Sequence, residues 1–157
     1  LVDGVDQGFV EETEENLTTL AQMYLLASDY EAALAPALEV AEVSESGDGY
    51  DTYGYLHYVM RNYQEAADAF QMAIDKGNLS NRADTLLFLA RALIELDDFE
   101  GAIDAATQSA DAGGESERRS ATDYITFIES TESRFNIIAE RRQDAIDFYE
   151  PYPSLID

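Results

Sequence analysis

Apolar residues recur along this chain at the three- and four-residue intervals of helices, and one arrangement returns three times. The stretches are LAQMYLLASDYEAALAPAL (residues 20–38), YGYLHYVMRNYQEAADAFQMAI (53–74) and LARALIELDDFEGAIDAATQSA (89–110). In each, a small residue opens a helical run (Ala21, Gly54, Ala90). An aromatic follows (Tyr30, Tyr63, Phe99), and three positions later an alanine (Ala33, Ala66, Ala102). The alanines lie 33 and 36 residues apart. A period of about 34 with two helical runs per unit marks a helical solenoid, in which each helix pair stacks on the next. Such a chain presents a curved surface, and recognition of another polypeptide is the activity it points to.

The spacing predicts paired helices over about 12–27 and 30–42, then 50–60 and 63–76, then 82–96 and 99–112. Ser28-Asp29, Arg61-Asn62 and Asp97-Asp98 separate the members of each pair. Pro36 falls inside the second helix, where it predicts a kink or the loss of one hydrogen bond. SESGDG (44–49) reads as a turn cluster, Gly77-Asn78 as a left-handed helix terminus, and Gly113-Gly114 as a break. From Glu115 to Glu150 there is no Gly or Pro. That stretch is one long helix or two with a bend near Ser130–Ser133, its first part capping the open end of the stack. The expected division is a linker over 1–11, a solenoid with its capping helix over 12–131, and an amphipathic helix with a tail over 132–157.

Charge narrows the partners. The chain of 157 residues carries 33 acidic and nine basic side chains, a formal net charge of −24. Nucleic acid is an improbable partner, since phosphate binding needs a basic stripe, and an anionic membrane surface is disfavoured for the same reason. The carboxylates are spread along the chain, which fits an acidic surface adapted to salt better than one acidic groove. Residues 1–113 hold 23 acidic and four basic groups, or −19, and residues 114–157 hold ten and five, or −5. Arg134, Arg141 and Arg142 make the late helix the only locally basic segment. Without cysteine there are no disulfides or thiolate metal sites. No apolar run is long enough to span a membrane. The chain begins at Leu1 without a signal-peptide pattern and reads as a piece of a longer protein.

The repeats resemble tetratricopeptide repeats. Ala21, Tyr24, Tyr30 and Ala33 match that family's pattern in the first unit. Gly54, Tyr63, Ala66, Phe70 and Ala73 match it in the second, and Ala90, Phe99 and Ala102 in the third. His57 and Leu93 depart from it where an aromatic is usual in the first helix. Ala37 and Ala106 depart from it in the second. The resemblance covers about residues 14–114. It implies an all-α fold, a right-handed α-α superhelix of three helix pairs plus a C-terminal capping helix and tail. A narrower resemblance is carried by AIDKGNLSNRADTLLFLARALIELDDFEGAIDAA and the following ERRSATDYITFIES. These are similar to the C-terminal region of proteobacterial tetratricopeptide proteins associated with the TonB–ExbB–ExbD system. That likeness implies a periplasmic or envelope-associated protein rather than a cytoplasmic one.

Little in the chain suggests catalysis. His57, the only histidine, sits in a register between helices and reads as a packing residue. A zinc site would need more nitrogen or sulfur ligands. Asp97-Asp98 reads as a cap, Glu11, Glu12, Glu14 and Glu15 as charges suited to a helix N-terminus, and SESGDGYD lacks calcium-loop spacing. No phosphate loop, nucleotide fingerprint or serine elbow is present. No catalytic residue, metal ligand or cofactor is assigned. The partner-binding residues are placed on the exposed side of each pair's first helix, lining a concave face. They are Thr18, Gln22 and Leu25, then Asp51, Tyr55 and Tyr58, then Leu87, Arg91 and Ile94. The tyrosines lead, because tyrosine gives large contact area at low entropic cost. The expected ligand is a protein or peptide of basic character, held in this groove. The alternative is self-assembly, a homodimer in which the helix within residues 133–157 docks on a neighbouring copy. A catalytic or ligand-binding fragment of a larger protein is the remote third reading.

Overall fold

The computed structural model describes residues 13–149. The linker expected over 1–11 and the tail after Tyr149 lie outside the described residues. Seven helices are seen among these residues, with no strand. They are α1 (Glu14–Leu26), α2 (Tyr30–Val43), α3 (Asp48–Val59), α4 (Tyr63–Lys76), α5 (Arg82–Glu95), α6 (Phe99–Ala112) and α7 (Glu115–Tyr149).

The hairpin within each pair is built the same way each time. Ser28, Arg61 and Asp97 adopt left-handed backbone, with φ of 58°, 64° and 59°. The next residue's N–H then donates back to a carbonyl of the closing turn. Asp29 N reaches Tyr24 O (2.9 Å), Asn62 N reaches His57 O (2.9 Å) and Asp98 N reaches Leu93 O (3.0 Å). This satisfies carbonyls that the helix end would otherwise orphan. Asp29 and Asp98 also cap the following helices, accepting from Ala32 N (3.4 Å) and Gly101 N (3.0 Å).

Between pairs, loops are stitched to their neighbours. Gly47 N donates to Gly77 O at 2.7 Å. The sole lysine, Lys76, donates to Ala41 O at 2.6 Å, placing a cation at the C-terminal turn of α2. Ser109 Oγ does similar work inside the third pair, donating to Ala83 O at 2.7 Å from a buried position. α2 runs through Pro36 without interruption. Proline has no N–H, so the helical bond to the Ala32 carbonyl is the one that is missing.

Small residues set the packing. Ala33, Ala66, Ala90 and Ala102 are fully buried, and Gly54 lies against the ring of Phe70. Helices with such contacts approach closely, and aromatics fill the space between pairs. One buried cluster joins α1, α2 and α3 through Ala21, Ala33, Ala37 and Leu56. A larger one spans α4 to α7 through Phe70, Leu89, Phe99, Ala106 and Ile128. Each helix packs on its neighbours in sequence, and in addition α3 meets α5 and α5 meets α7. The first helices of successive pairs therefore line the inner side. α7 begins where the first helix of a fourth pair would stand. It continues as one helix through residues 130–133, where Ser130 Oγ and Thr131 Oγ1 donate to Phe127 O (2.9 and 2.8 Å).

Candidate partner-binding face

The inner side divides into a hollow, a wall and a second hollow. The first hollow, about 270 Å³, lies among α1, α2 and α3. Thr18 and Gln22 line it, with Asp48, Gly49 and Thr52 opposite. Thr18 satisfies its own hydroxyl by donating to Glu14 O (2.7 Å). Leu25 turns instead toward the buried cluster of the first pair.

The wall is aromatic. Tyr55 and Tyr58 on α3 both meet Phe88 on α5 edge-on, with centroids 5.5 and 6.0 Å apart. Phe88 also stacks on Phe70 at 5.8 Å. The Arg91 guanidinium lies 4.9 Å from the Phe88 centroid and 5.7 Å from that of Tyr124 on α7. Tyr124 in turn stacks on Phe127 (5.6 Å). So the two leading tyrosines join one helix pair to the next and remain half-exposed as they do so. Burial raises the Tyr58 hydroxyl above its ordinary range against the pull of Arg91. It pushes Tyr124 up to about 12. Both therefore stay protonated and can donate a hydrogen bond at any physiological pH. Ile94 packs on the larger cluster beside Tyr58.

Leu87 and Arg91 open onto the second hollow, about 260 Å³, shared with Asp84 on α5, Ser109 on α6 and Ser116, Glu117 and Ser120 on α7.

Asp51 stands at the foot of the wall. Burial raises its pKa, and the charges of Asp48 and Asp84 add to this, while the Thr85 hydroxyl works the other way. Its Oδ1 is buried and has no hydrogen-bond partner. The two flanking carboxylates are held in place. Asp48 accepts from Ser80 N (2.8 Å) and Ser80 Oγ (2.6 Å), and Asp84 accepts from Asn81 Nδ2 (2.6 Å).

His57 is buried edge-on to Tyr53 (4.5 Å), with Nδ1 3.5 Å from Asn62 Nδ2 and Nε2 unpartnered. Burial lowers its pKa, which fits a neutral packing side chain. Among the described residues no cluster of three or more potential ligands is placed to hold a metal, and no helix is long and apolar enough to cross a membrane.

Of the nine expected residues, Tyr55, Tyr58 and Arg91 meet at the wall, Thr18 and Gln22 line the first hollow, and Leu87 lines the second together with Arg91, while Leu25 and Ile94 pack on the core clusters and Asp51 lies below the wall. The expectation missed Phe88, the ring on which the wall is centred, and Tyr124, which comes from the capping helix. Phe88 gave one signal, an aromatic on α5 one position off the inner stripe.

Solved structures share the fold. A TPR2B domain of yeast Sti1, in complex with pHsp70, superposes with a TM-score of 0.65 at 19% identity, covering 77% of this chain and 96% of that one. The fold is that of a tetratricopeptide-repeat solenoid. MamA superposes with a TM-score of 0.66 at 18% identity, over 91% of this chain and 76% of that one. A chain of a T3SS complex from Aeromonas hydrophila gives 0.69 at 15% identity, over 83% and 89%. No family model matches the sequence, and no curated protein does.

Proposed function

We propose that this tetratricopeptide-type solenoid is a protein-interaction scaffold that binds a partner polypeptide on its inner face. The observation that carries the reading is the half-exposed wall of Tyr55, Tyr58, Phe88 and Arg91 on the inner face. Apolar and aromatic contacts supply affinity, and the carboxylates steer a basic segment into place. The Sti1 domain of the same fold forms a complex with pHsp70, and another neighbour belongs to a T3SS complex, which supports the class of activity. Placement in a TonB-type envelope complex rests on the sequence resemblance of residues 73–106 and 117–130.

The test uses an immobilised library of short peptides. The wild-type chain should retain peptides that combine Lys or Arg with apolar residues. The triple variant Asp51→Asn/Tyr55→Ala/Tyr58→Ala should keep its helical signal and lose at least tenfold in affinity for them. Equal retention by the folded variant would show that the inner face is not the binding surface.

A second reading, self-assembly through the C-terminal helix, is favoured by the apolar side chains that α7 exposes beyond the last pair, among them Ile138 and Ile146.

A further inference from the structure

The stripe of α7 that packs on the solenoid does not stop where the solenoid stops. Ala121, Tyr124 and Ile128 recur at helical spacing, and the same line continues through Phe135, Ile138, Ala139, Ala145 and Ile146. Burial fades along it. Ile128 is 0% exposed, Phe135 is 46% exposed and still touches Phe99 at 5.5 Å, Ile138 is 68% exposed and Ile146 53%. Fourteen residues of α7 run on beyond Phe135, about 21 Å of helix. α7 is unbroken, so this end cannot turn back onto its own repeats. Among the described residues Ile138 and Ile146 are left open to a second molecule.

Charge says which. Residues 134–149 hold three arginines (Arg134, Arg141, Arg142) against Glu140, Asp144 and Asp147, in a chain of net charge −24. Among the described residues none of the three guanidinium groups has an ion-pair or hydrogen-bond partner. The other copy of this chain offers a groove of fitting chemistry on the outer side, between α4 and α6, of about 350 Å³. Ala67, Leu89, Leu93 and Ala105 form its floor, and small side chains there let a helix ridge approach closely. Asp68 and Asp104 stand on opposite rims, each steadied by a glutamine of its own helix: Gln64 Nε2 donates to Asp68 (3.0 Å) and Gln108 Nε2 to Asp104 (2.9 Å).

We infer that residues 134–149 of α7 dock into the α4/α6 groove of a second copy of this chain, with Ile138 and Ile146 on the groove floor and Arg141 and Arg142 on Asp68 and Asp104. The inference rests on the self-assembly reading and names its surface. Exchanged reciprocally, the contact is used twice and closes a two-fold dimer.

Sedimentation equilibrium on the full chain tests it. Wild type should reach twice the monomer mass of 17.4 kDa at micromolar concentration. Ile138→Ser/Ile146→Ser and, separately, Arg141→Asp/Arg142→Asp should each raise the dimer dissociation constant at least tenfold with unchanged helical signal. Adding Asp68→Arg/Asp104→Arg to the arginine variant should restore the dimer. A monomeric wild type, or a dimer indifferent to the isoleucine changes, overturns self-assembly through this helix. Loss with the isoleucine variant but no restoration by the charge exchange overturns the α4/α6 groove alone, leaving self-assembly standing.

Discussion

Gly54 is the position where the packing argument can be put at most risk. A Cβ built there would lie 2.8, 2.9 and 3.1 Å from Cδ1, Cε1 and Cγ of Phe70. Ordinary carbon contacts fall at about 3.5–4.0 Å, so the ring must retreat by roughly 0.5–1 Å. It has little room to do so, being fully buried and stacked on Phe88. Overpacking of this kind costs about 1–3 kcal/mol. Replacing glycine in a helix interior by alanine returns about 1 kcal/mol of helix propensity. The expected result for Gly54→Ala is a net loss of about 1 kcal/mol, read as a lower urea midpoint at constant m. The same change in a Phe70→Leu background should cost less than it does alone, since the shorter side chain leaves the space the methyl needs. A double-mutant cycle measures the difference. If Gly54→Ala stabilises the chain by the full propensity gain, or costs the same in both backgrounds, the close approach of α3 and α4 at this point is wrong.

Other positions test other parts of the argument. Asp97 holds left-handed backbone without the freedom of glycine, so Asp97→Gly should raise stability by about 1 kcal/mol, whereas Asp98→Ala should lower it by about 1 kcal/mol through loss of the cap on Gly101 N. Chemical denaturation of the pair should show opposite signs. Asp51 holds its proton more tightly in the folded than in the unfolded chain, so its ionisation weakens the fold as pH rises from the ordinary value of 3.8 through the raised one. Asp51→Asn should therefore be more stable than wild type at neutral pH, and the gap should close as pH falls toward 3.8; a gap that widens in acid contradicts the burial argument. The surface charge should make thermal stability rise with added salt, because screening over a Debye length of about 8–10 Å relieves self-repulsion. A melting temperature that is flat or falling across a salt titration would remove the salt-adapted reading.

The repeat was legible because its signals are local. Ser28-Asp29, Arg61-Asn62 and Asp97-Asp98 each interrupt the apolar period with two polar residues just before an aromatic, so the predicted helix bounds differ from those observed by two residues or fewer. What escaped was set by distant partners. SESGDG read as a turn, but α3 already begins at Asp48. Gly49 is a packing glycine whose absent Cβ would fall 2.6 Å from Ala41 Cα. Nothing near residue 49 in sequence announces that neighbour. The wall escaped for the same reason. Tyr55 and Tyr58 were visible on α3, but the rings that fix them, Phe88 and Tyr124, arrive from later elements. Lys76 gave no hint that it would close α2, 35 residues earlier.

The inner face and the joint between repeats are made of the same side chains, and this constrains how the face can bind. Tyr55, Tyr58, Phe88, Arg91 and Tyr124 carry the stack from α3 through α5 to α7. A partner that drew either tyrosine away from Phe88 would give up an edge contact worth about 0.5–1.5 kcal/mol and loosen the register of two pairs. Binding that leaves the rings where they are is favoured, and it orders few rotamers because they are already fixed. The first hollow has no such seam. Its walls include Thr18, Ser46 and Thr52, whose hydroxyls are held by local hydrogen bonds, and Gln22, a long exposed amide side chain that can turn. Discrimination by shape is thus expected at the tyrosines and adjustment to the partner at the first pair. It follows that Gln22→Ala should shift affinity evenly across bound peptides, whereas Tyr58→Ala should change which peptides are bound.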